Sequence, residues 1–438
     1  MIVGAFAVYF ANLVGERYGV LLALPGFFIL VFLFAFARNT LFYLIILFRS
    51  VMDPILDATK LGSFGLGAVI NALVIAIALI AIFDKPNPVR KILNQTWLPF
   101  FLISLVAIVI APSFITALKT YLALLSYASV FALAIVLIKN EEDFGGWMRV
   151  VFFSSLIPVV YGFIDAATGG FKSADVDFRI SSTFTHPNIF AFYLVLMISL
   201  GFYFFKSKAN FIPSWVRTIM PLYILVMFAL LLMTKTRSAW AACIVFFIMY
   251  AIIYERKYLV LIGLSLVGAL MVPDIRDRVL DLSQGNEVIN YSRLNSYAWR
   301  KQIWGDGLRW MTASHYFLGY GLESFKYYSV SFFSMSGGRN MGAHSVYVQL
   351  FFEAGAFGLI AFLWAHLRVA SLLIPFYKAN KFMIFSAIMF LLEYALYSYS
   401  DNMLNYLAFN WYFWFVLGAI YAINYSKNEK DKAGQMPA

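Results

Sequence analysis

Long apolar segments separated by short polar ones run along almost the whole chain. They cover residues 2–14, 18–36, 39–52, 63–83, 98–112, 116–138, 149–168, 187–205, 217–233, 238–254, 257–272, 346–367, 382–399 and 405–423. Because the apolar runs continue over about 15 to 22 residues without alternating, they predict membrane-spanning helices rather than barrel strands. We predict about 14 crossings, of which the first and third are short.

The composition agrees with this pattern. Of the 438 residues, 62% are hydrophobic and 13% are charged, and a soluble fold could not bury so much apolar surface. Residues 1–14 lack the basic start of a cleavable signal peptide and lead into further apolar sequence. The one cysteine, Cys243, excludes an internal disulfide. The predicted fold class is an all-α polytopic membrane helix bundle of about 12–14 transmembrane helices with one long outer loop.

The pattern also divides the chain into regions. Residues 1–150 are predicted to be N-terminal transmembrane helices, and residues 151–423 form a second region that includes a long polar loop at 273–345. Residues 424–438 are polar and are predicted to be a disordered cytoplasmic tail.

Basic residues orient the bundle. The short polar segments 84–91, 206–217, 255–257 and 377–381, together with the tail, are rich in Lys and Arg. The positive-inside rule places this side in the cytoplasm, with both chain termini. The segments 169–186, 234–237 and 273–345 then lie on the outer face.

The outer segments nevertheless carry many cations, although topology alone would deplete them there. The residues concerned are Arg179, Lys235, Arg237, Arg276, Arg278, Arg293, Arg300, Lys301 and Arg309. This concentration predicts an anionic ligand at the outer face. The alternative is contact between single basic residues and lipid headgroups.

Three predicted helices begin on the outer face with charged or capping residues. They start within DFRISSTFTHPNIF (177–190), MTKTRSAWAAC (233–243) and GAHSVYVQLFF (342–352), where Thr185 or His186, Thr236, and His344 or Ser345 are candidate caps. Free N–H groups and the helix dipole at such ends favour anions, above all phosphate. The alternative is that the basic residues only snorkel and the caps only satisfy backbone donors.

His344 is the strongest candidate for proton transfer. It lies 11 residues before Gly355, about three turns, so both lie on one face if the helix is continuous, and Gly358 lies close to that face. The small glycines would let a neighbouring helix approach and fix the ring. A histidine at a helix N-terminus is expected to be neutral and able to accept a proton, whereas Glu353 needs a polar partner.

Other ionisable residues define alternatives. Asp175 and Asp177 form a D-x-D pattern of the kind that holds a divalent metal, although solvated carboxylates are the simpler interpretation. His186, beside Pro187, is the competing base, with a structural or substrate-positioning role as the preferred interpretation. His315 and His366 are not candidates, because one lies in mid-loop and the other near the cytoplasmic end of its helix.

These motifs resemble those of the O-antigen ligase and O-antigen polymerase superfamily of bacterial envelope glycosyltransferases. The stretch HSVYVQLFFEAGAFG (344–358) is similar to the family pattern His-[Asn/Ser/Gln]-x9-Gly-x-x-[Gly/Thr/Tyr]. The segments STFTHPNIFAFYL (182–194), TKTRSAW (234–240) and 292–325 support the resemblance. It covers residues 177–360, whereas the first 150 residues match only as a run of helices.

The resemblance implies a metal-independent, inverting transferase of the GT-C-like type without a cofactor. His344 would be the base for the acceptor hydroxyl, and Arg237 and Arg293 would hold the donor diphosphate. The implied substrate-binding residues are Arg179, His186, Asn188, Arg300, Tyr320 and Glu323. Arginine suits this role because its planar fork matches phosphate oxygens and stays charged.

The implied donor is a glycan on undecaprenyl diphosphate at the outer, periplasmic face of the bacterial inner membrane. Two acceptors compete: a lipid-linked repeat unit in a surface-polysaccharide polymerase, which about 14 helices favour, or lipid A–core in a ligase, which the histidine–glycine pattern favours.

Chain-length regulators, flippases and membrane lipids are the implied partners, and nucleic acid is not. A transporter or flippase of an anionic lipid or solute is the alternative from another class, but a bilayer midplane that is nearly bare apart from Glu353 and Glu393, and the lack of an internal repeat, argue against it.

Overall fold

The structure, a computed structural model, describes residues 23–59, 65–84, 88–173, 176–280 and 294–434. The helices of the first half are α1 (Ala23–Phe36), α2 (Arg38–Phe48), α3 (Asp53–Ala58), α4 (Leu66–Asp84), α5 (Val89–Thr96), α6 (Leu98–Val109), α7 (Phe114–Leu137), α8 (Glu141–Phe153) and α9 (Leu156–Thr168). An antiparallel hairpin of β1 (Phe171–Ser173) and β2 (Val176–Arg179) follows.

The second half is also helical. Its helices are α10 (Pro187–Lys206), α11 (Ser214–Met233), α12 (Arg237–Ile253), α13 (Lys257–Leu270), α14 (Pro273–Leu280), α15 (Ser296–Trp310), α16 (Ser324–Phe332), α17 (Val346–Leu373), α18 (Lys381–Ser400) and α19 (Leu407–Gly434). Short 3₁₀ turns lie at Arg49–Val51, Ala313–His315, Ser334–Ser336, Ile374–Phe376 and Met403–Asn405.

The all-α polytopic fold predicted from the apolar pattern is confirmed. Within the described residues, eight helices are long and apolar enough to cross a membrane, or up to ten if each of two bent pairs is one span. Two shorter apolar helices, Pro25–Phe36 and Arg237–Ile253, add to them. The predicted segment 2–14 lies outside the described residues, so the count of 14 stays a prediction.

Two helices form the centre of the bundle. In both α10 and α19, 94% of the spanning window is buried inside the protein. Both are rich in aromatic residues, and α19 packs along α7 while α10 packs along α11, α12 and α18. Their ends are therefore held from several sides, which suits them to carry a rigid site.

Helix α17 is broken at Gly355, whose φ of 64° and ψ of −167° are not helical. The prediction that His344 and Gly355 share one face of a continuous helix is therefore wrong. The glycine is needed for two other reasons: this backbone conformation is essentially restricted to glycine, and a Cβ there would lie 2.2 Å from the carbonyl of Phe317. A loop, rather than a neighbouring helix, approaches Gly355.

The loop of residues 316–322 supplies hydrogen-bond partners to the backbone groups around the break at Gly355. Its backbone N–H groups at Tyr320 and Gly321 donate to the carbonyls of Phe352 and Glu353 at 2.9 and 2.8 Å, and Ala356 N–H donates to the Tyr316 carbonyl at 2.8 Å. Backbone groups freed at membrane depth need such partners, because lipid offers none.

The structure corrects two predictions for polar regions. The segment 273–345, predicted as one long loop, contains α14, α15 and α16 in its described part, and the side chain of Asn295 caps α15. The tail, predicted to be disordered, continues α19 as a helix to Gly434. Both segments are polar, and the hydropathy pattern alone did not separate amphipathic helices from loops.

Candidate active site at one end of the bundle

Arg179 joins two of the three predicted helix starts. Its Nε donates to the Thr234 carbonyl at 2.7 Å, and its Nη2 donates to Asn188 Oδ1 at 2.7 Å and to Thr236 Oγ1 at 2.9 Å. The guanidinium therefore ties β2 to the first turns of α10 and α12. Thr236 precedes α12, but its hydroxyl does not cap that helix. The hydroxyl instead accepts a hydrogen bond from Arg179 Nη2 and donates one to Asn188 Oδ1.

Asp401 extends this network to the end of α18. Its Oδ2 accepts a hydrogen bond from Asn188 Nδ2 at 2.6 Å, and the Tyr406 hydroxyl donates to its Oδ1. Asp401 is buried, and nothing in the sequence analysis selected it. The available signal was a single carboxylate in a very short outer segment between two apolar runs.

His344 lies at the third helix start. Ser345, one of the two candidate caps, is the N-cap of α17; its hydroxyl accepts from the Val348 N–H at 3.5 Å, and its own N–H donates to Asn402 Oδ1 at 3.2 Å. His344 has a φ of 48°, in the left-handed region. A non-glycine residue there carries strain, which clusters at functional sites.

Helix α15 holds the imidazole from the other side. Trp304 Nε1 donates to the Ala343 carbonyl at 2.6 Å, and the Trp299 ring meets the His344 ring edge to face at 5.7 Å between centroids. Nδ1 of His344 is buried and makes no hydrogen bond with the described protein groups. The ring is thus fixed, and its Nδ1 remains without a partner among the described residues.

The environment keeps His344 neutral. Burial lowers its pKa below the ordinary value, Asp401 opposes this shift, and Arg300 adds to it. A neutral imidazole with an unpaired Nδ1 can accept a proton. The prediction of a neutral His344 agrees with this environment, although burial, rather than the helix end, is the main cause.

His186, the competing base, is held in a different role. Its Nδ1 accepts a hydrogen bond from the Asn188 N–H at 3.1 Å, so it caps α10 as predicted. Burial lowers its pKa to about 4, with Asp401 opposing and Arg179 and His344 adding to the shift. In a neutral ring whose Nδ1 accepts, the proton lies on Nε2. The Nδ1 of His186 is therefore already used by the Asn188 N–H and is not available to take a proton.

Arginines gather around these groups. Arg278 and Arg300 both contribute, after burial, to lowering the pKa of Arg179 to about 10, so Arg179 remains a cation at neutral pH. Arg237 donates from Nη2 to Ser296 Oγ at 2.5 Å and from Nη1 to the Arg278 carbonyl at 3.1 Å. Arg300 Nη1 donates to the Ser296 carbonyl at 3.4 Å. We call Arg179, Arg237, Arg278 and Arg300 the arginine cluster.

Glu323 and Tyr320, both predicted to bind substrate, lie in different surroundings. Glu323 lines a cavity together with His344, and its Oε1 accepts from Thr120 Oγ1 at 2.9 Å. The Tyr320 hydroxyl instead accepts from the Thr312 N–H at 2.9 Å, and its ring stacks on His315 and Phe352. The Tyr320 side chain is therefore occupied by contacts with Thr312, His315 and Phe352.

Some predictions fall outside the described residues. Arg293 and Asp175 lie there, and only the backbone of Asp177 is described, as part of β2. Among the residues that the structure does describe, no three His, Cys, Asp or Glu side chains group as metal ligands.

An apolar cleft opens beside the arginine cluster. It has a volume of about 510 Å³ and lies among α10, α11, α12 and α13. Trp240, one turn beyond Arg237, lines it with Leu231, Phe247 and Leu261. Through Trp240, the apolar lining of this cleft comes within one helical turn of Arg237 in the sequence of α12.

The comparisons with known proteins bear on this region. The sequence model of a protein family described as O-antigen ligase matches residues 222–363, which include Arg237, Arg300 and His344. The resemblance to the O-antigen ligase and polymerase superfamily is confirmed. No curated protein gives a significant match to the chain. The matched part contains two of the three helix starts, whereas Arg179, His186 and Asp401 lie outside it.

Proposed function

We propose that this protein is a membrane-embedded inverting glycosyltransferase that moves a glycan from undecaprenyl diphosphate to an acceptor hydroxyl. The observation that carries the proposal is the neutral, fixed imidazole of His344 beside a cluster of four arginines at one end of an apolar bundle. A base and a diphosphate site are the two parts that direct displacement at an anomeric carbon requires.

The proposed reaction has one displacement step. The acceptor oxygen loses its proton to Nδ1 of His344 and attacks the anomeric carbon, while the bond from that carbon to the diphosphate breaks. The electron pair leaves with the diphosphate oxygen, whose charge the arginine cluster stabilises. Attack from the face opposite the leaving group inverts the anomeric centre.

The other polar residues have supporting roles in this proposal. Arg237 and Arg300 face the diphosphate, and His186 donates from Nε2 to a substrate oxygen. Arg179, Asn188 and Asp401 are positioning residues, because their polar atoms hold the helix starts together. The apolar cleft would take the hydrocarbon chain of the carrier lipid.

Each of two acceptors has one observation in its favour. The matching family is described as O-antigen ligase, which favours lipid A–core, whereas about 14 apolar segments favour a polymerase that extends a lipid-linked repeat unit. Surface glycan from a deletion strain separates them. A polymerase predicts a single repeat unit without polymer, and a ligase predicts full-length chains that remain on the carrier lipid. Normal surface glycan would contradict the proposed function.

Metal independence is part of the same proposal. Transfer by the protein reconstituted in vesicles should proceed at an unchanged rate in EDTA. Loss of activity in EDTA, restored by Mg²⁺ or Mn²⁺, would instead support the D-x-D pair at Asp175 and Asp177.

A further inference from the structure

A polar cavity lies on α17, within the part of the bundle that is otherwise apolar. It has a volume of about 170 Å³ and is lined by Glu323, Lys326, His344, Gln349, Glu353 and Asn402, among others. His344 is therefore shared by this cavity and by the group of Arg300 and Asp401, which act on its pKa. An empty apolar void would not need these side chains, so the cavity calls for a polar occupant.

The hydrogen bonds of Gln349 leave one of its groups unused. Its Nε2 donates to both Glu353 oxygens at 3.3 Å. The amide is therefore oriented, with Nε2 toward Glu353. Its Oε1 is buried and makes no hydrogen bond with any described protein group, and Gln349 is only 6% exposed.

Two residues that line one cavity thus each carry a buried polar atom without a hydrogen-bond partner among the described residues: Oε1 of Gln349 and Nδ1 of His344. Buried polar atoms are normally paired with protein, water or a ligand, and these two are the atoms that a ligand in the cavity could pair. A molecule that brings two O–H donors on a compact neutral frame satisfies both. A phosphate fits less well, because it offers mainly acceptors and would meet the carboxyl groups of Glu323 and Glu353, although Lys326 would attract it.

We propose that this cavity binds the acceptor sugar and that Gln349 positions it, by accepting a hydrogen bond from one hydroxyl while His344 accepts from the hydroxyl that reacts. This inference rests on the proposed transferase function and assigns the side of His344 away from the arginine cluster to the acceptor. The reacting hydroxyl gives its proton to Nδ1, and the second hydroxyl keeps its proton throughout. Gln349 therefore acts on acceptor binding and takes no proton itself.

Gln349→Met tests this assignment, because methionine keeps the volume and removes the amide. The purified protein in vesicles receives lipid-diphosphate-linked glycan as donor. The acceptor is lipid A–core or a repeat unit freed from its diphosphate, which can accept but not donate. We expect the acceptor KM to rise about tenfold, the worth of one such hydrogen bond, while the donor KM and kcat stay within about twofold. Gln302→Met, on the exposed face of α15, is the matched control and should change nothing.

A second variant covers the case in which Gln349→Met does not accumulate. Lys326 is exposed where it lines the cavity, so Lys326→Trp should fold, narrow the cavity and raise the acceptor KM alone. An unchanged acceptor KM in the available variants, or a fall in kcat alone, would overturn the acceptor assignment while leaving the transferase proposal intact. If the unmodified protein transfers glycan to neither acceptor, the transferase proposal fails and this inference fails with it.

Discussion

At the scale of single residues, the site depends on which nitrogen atoms are free. His344 and His186 are both buried and neutral, yet only His344 presents an unpaired Nδ1, because the Nδ1 of His186 caps α10. Two similar side chains therefore receive different roles from their hydrogen bonds. This difference supports the proposal that His344 is the base.

His344→Ala removes this base. We expect glycan transfer to fall by at least about 10²-fold, the lower end of what a general base contributes, while the protein inserts and accumulates normally. Transfer in vesicles and protein abundance in membranes measure the two effects. His315→Ala, a histidine that packs on Tyr320, is the control and should keep activity. Full activity of His344→Ala would rule out its role.

The pH dependence of transfer follows from the lowered pKa of His344. A base works only when it is neutral, so activity should be constant around neutral pH and fall on the acid side as the ring becomes protonated. Because burial lowers the pKa, the midpoint of this acid limb should lie below the ordinary histidine value of about 6.5. Rates at saturating substrate between pH 4.5 and about 8 measure it. A midpoint above 7 would contradict the buried, neutral ring.

Residue patterns predicted part of this site. His344 and His186 were predicted because they lie at the starts of apolar helices, whereas Asn188 was implied by the resemblance, and Arg300 by the resemblance and the concentration of cations at the outer face. Asp401 and Gln349 were not selected, because each is a single common polar residue whose partner lies far away in sequence. Only the fold shows that Asn188 meets Asp401 and that Gln349 meets Glu353.

At the scale of elements, the broken α17 is the feature that shapes the cavity. The break at Gly355 lets the loop 316–322 enter the bundle, and this loop leads to Glu323 at the start of α16. Glu353, two residues before the break, accepts from Gln349 Nε2 through both carboxyl oxygens. The predicted need of Glu353 for a polar partner is confirmed.

Gly355→Ala should therefore disturb more than a helix. The alanine would have to adopt a conformation that costs roughly 1–3 kcal/mol, and its Cβ would overlap the Phe317 carbonyl. We expect a lower unfolding temperature in detergent together with a loss of transfer. Gly263→Ala is the matched control, because nothing lies within 4 Å of the added methyl group in α13. Equal stability of the two variants would contradict the break.

Hydropathy predicted most helix limits well. For example, the predicted segments 187–205 and 382–399 correspond to helices at Pro187–Lys206 and Lys381–Ser400. The break at Gly355 was missed because a glycine in an apolar helix also suits close helix packing. Helices in the segment 273–345 were missed because amphipathic helices have no apolar run.

At the scale of the whole molecule, segments far apart in sequence meet at one end. The chain before α10, the turn before α12, the start of α17 and the segment after α18 are joined by Arg179, Asn188, Asp401 and Asn402. The alternation of apolar and polar segments predicted that the first three lie on the same side, whereas the segment after α18 was not named in that prediction. Their direct contact depends on helix packing, which the pattern does not contain.

The side of the membrane can be measured by labelling. Asn340→Cys lies in an exposed segment just before His344, and Lys378→Cys is exposed beyond the other end of α17. An impermeant maleimide added to intact spheroplasts should label the first and not the second, and the native Cys243 is buried and should stay silent. The reverse labelling would place the site in the cytoplasm and contradict the positive-inside assignment.

The most direct measurement of the central claim is glycan transfer by the purified protein in vesicles that contain lipid-diphosphate-linked glycan and acceptor. The unmodified protein should join glycan to acceptor and release one carrier-lipid diphosphate for each bond formed. Arg237→Ala and Arg300→Ala should weaken donor use, and His344→Ala should abolish the joining step. Transfer that continues without His344 or these arginines, or donor that is moved across the membrane with its glycan still attached, would contradict the account.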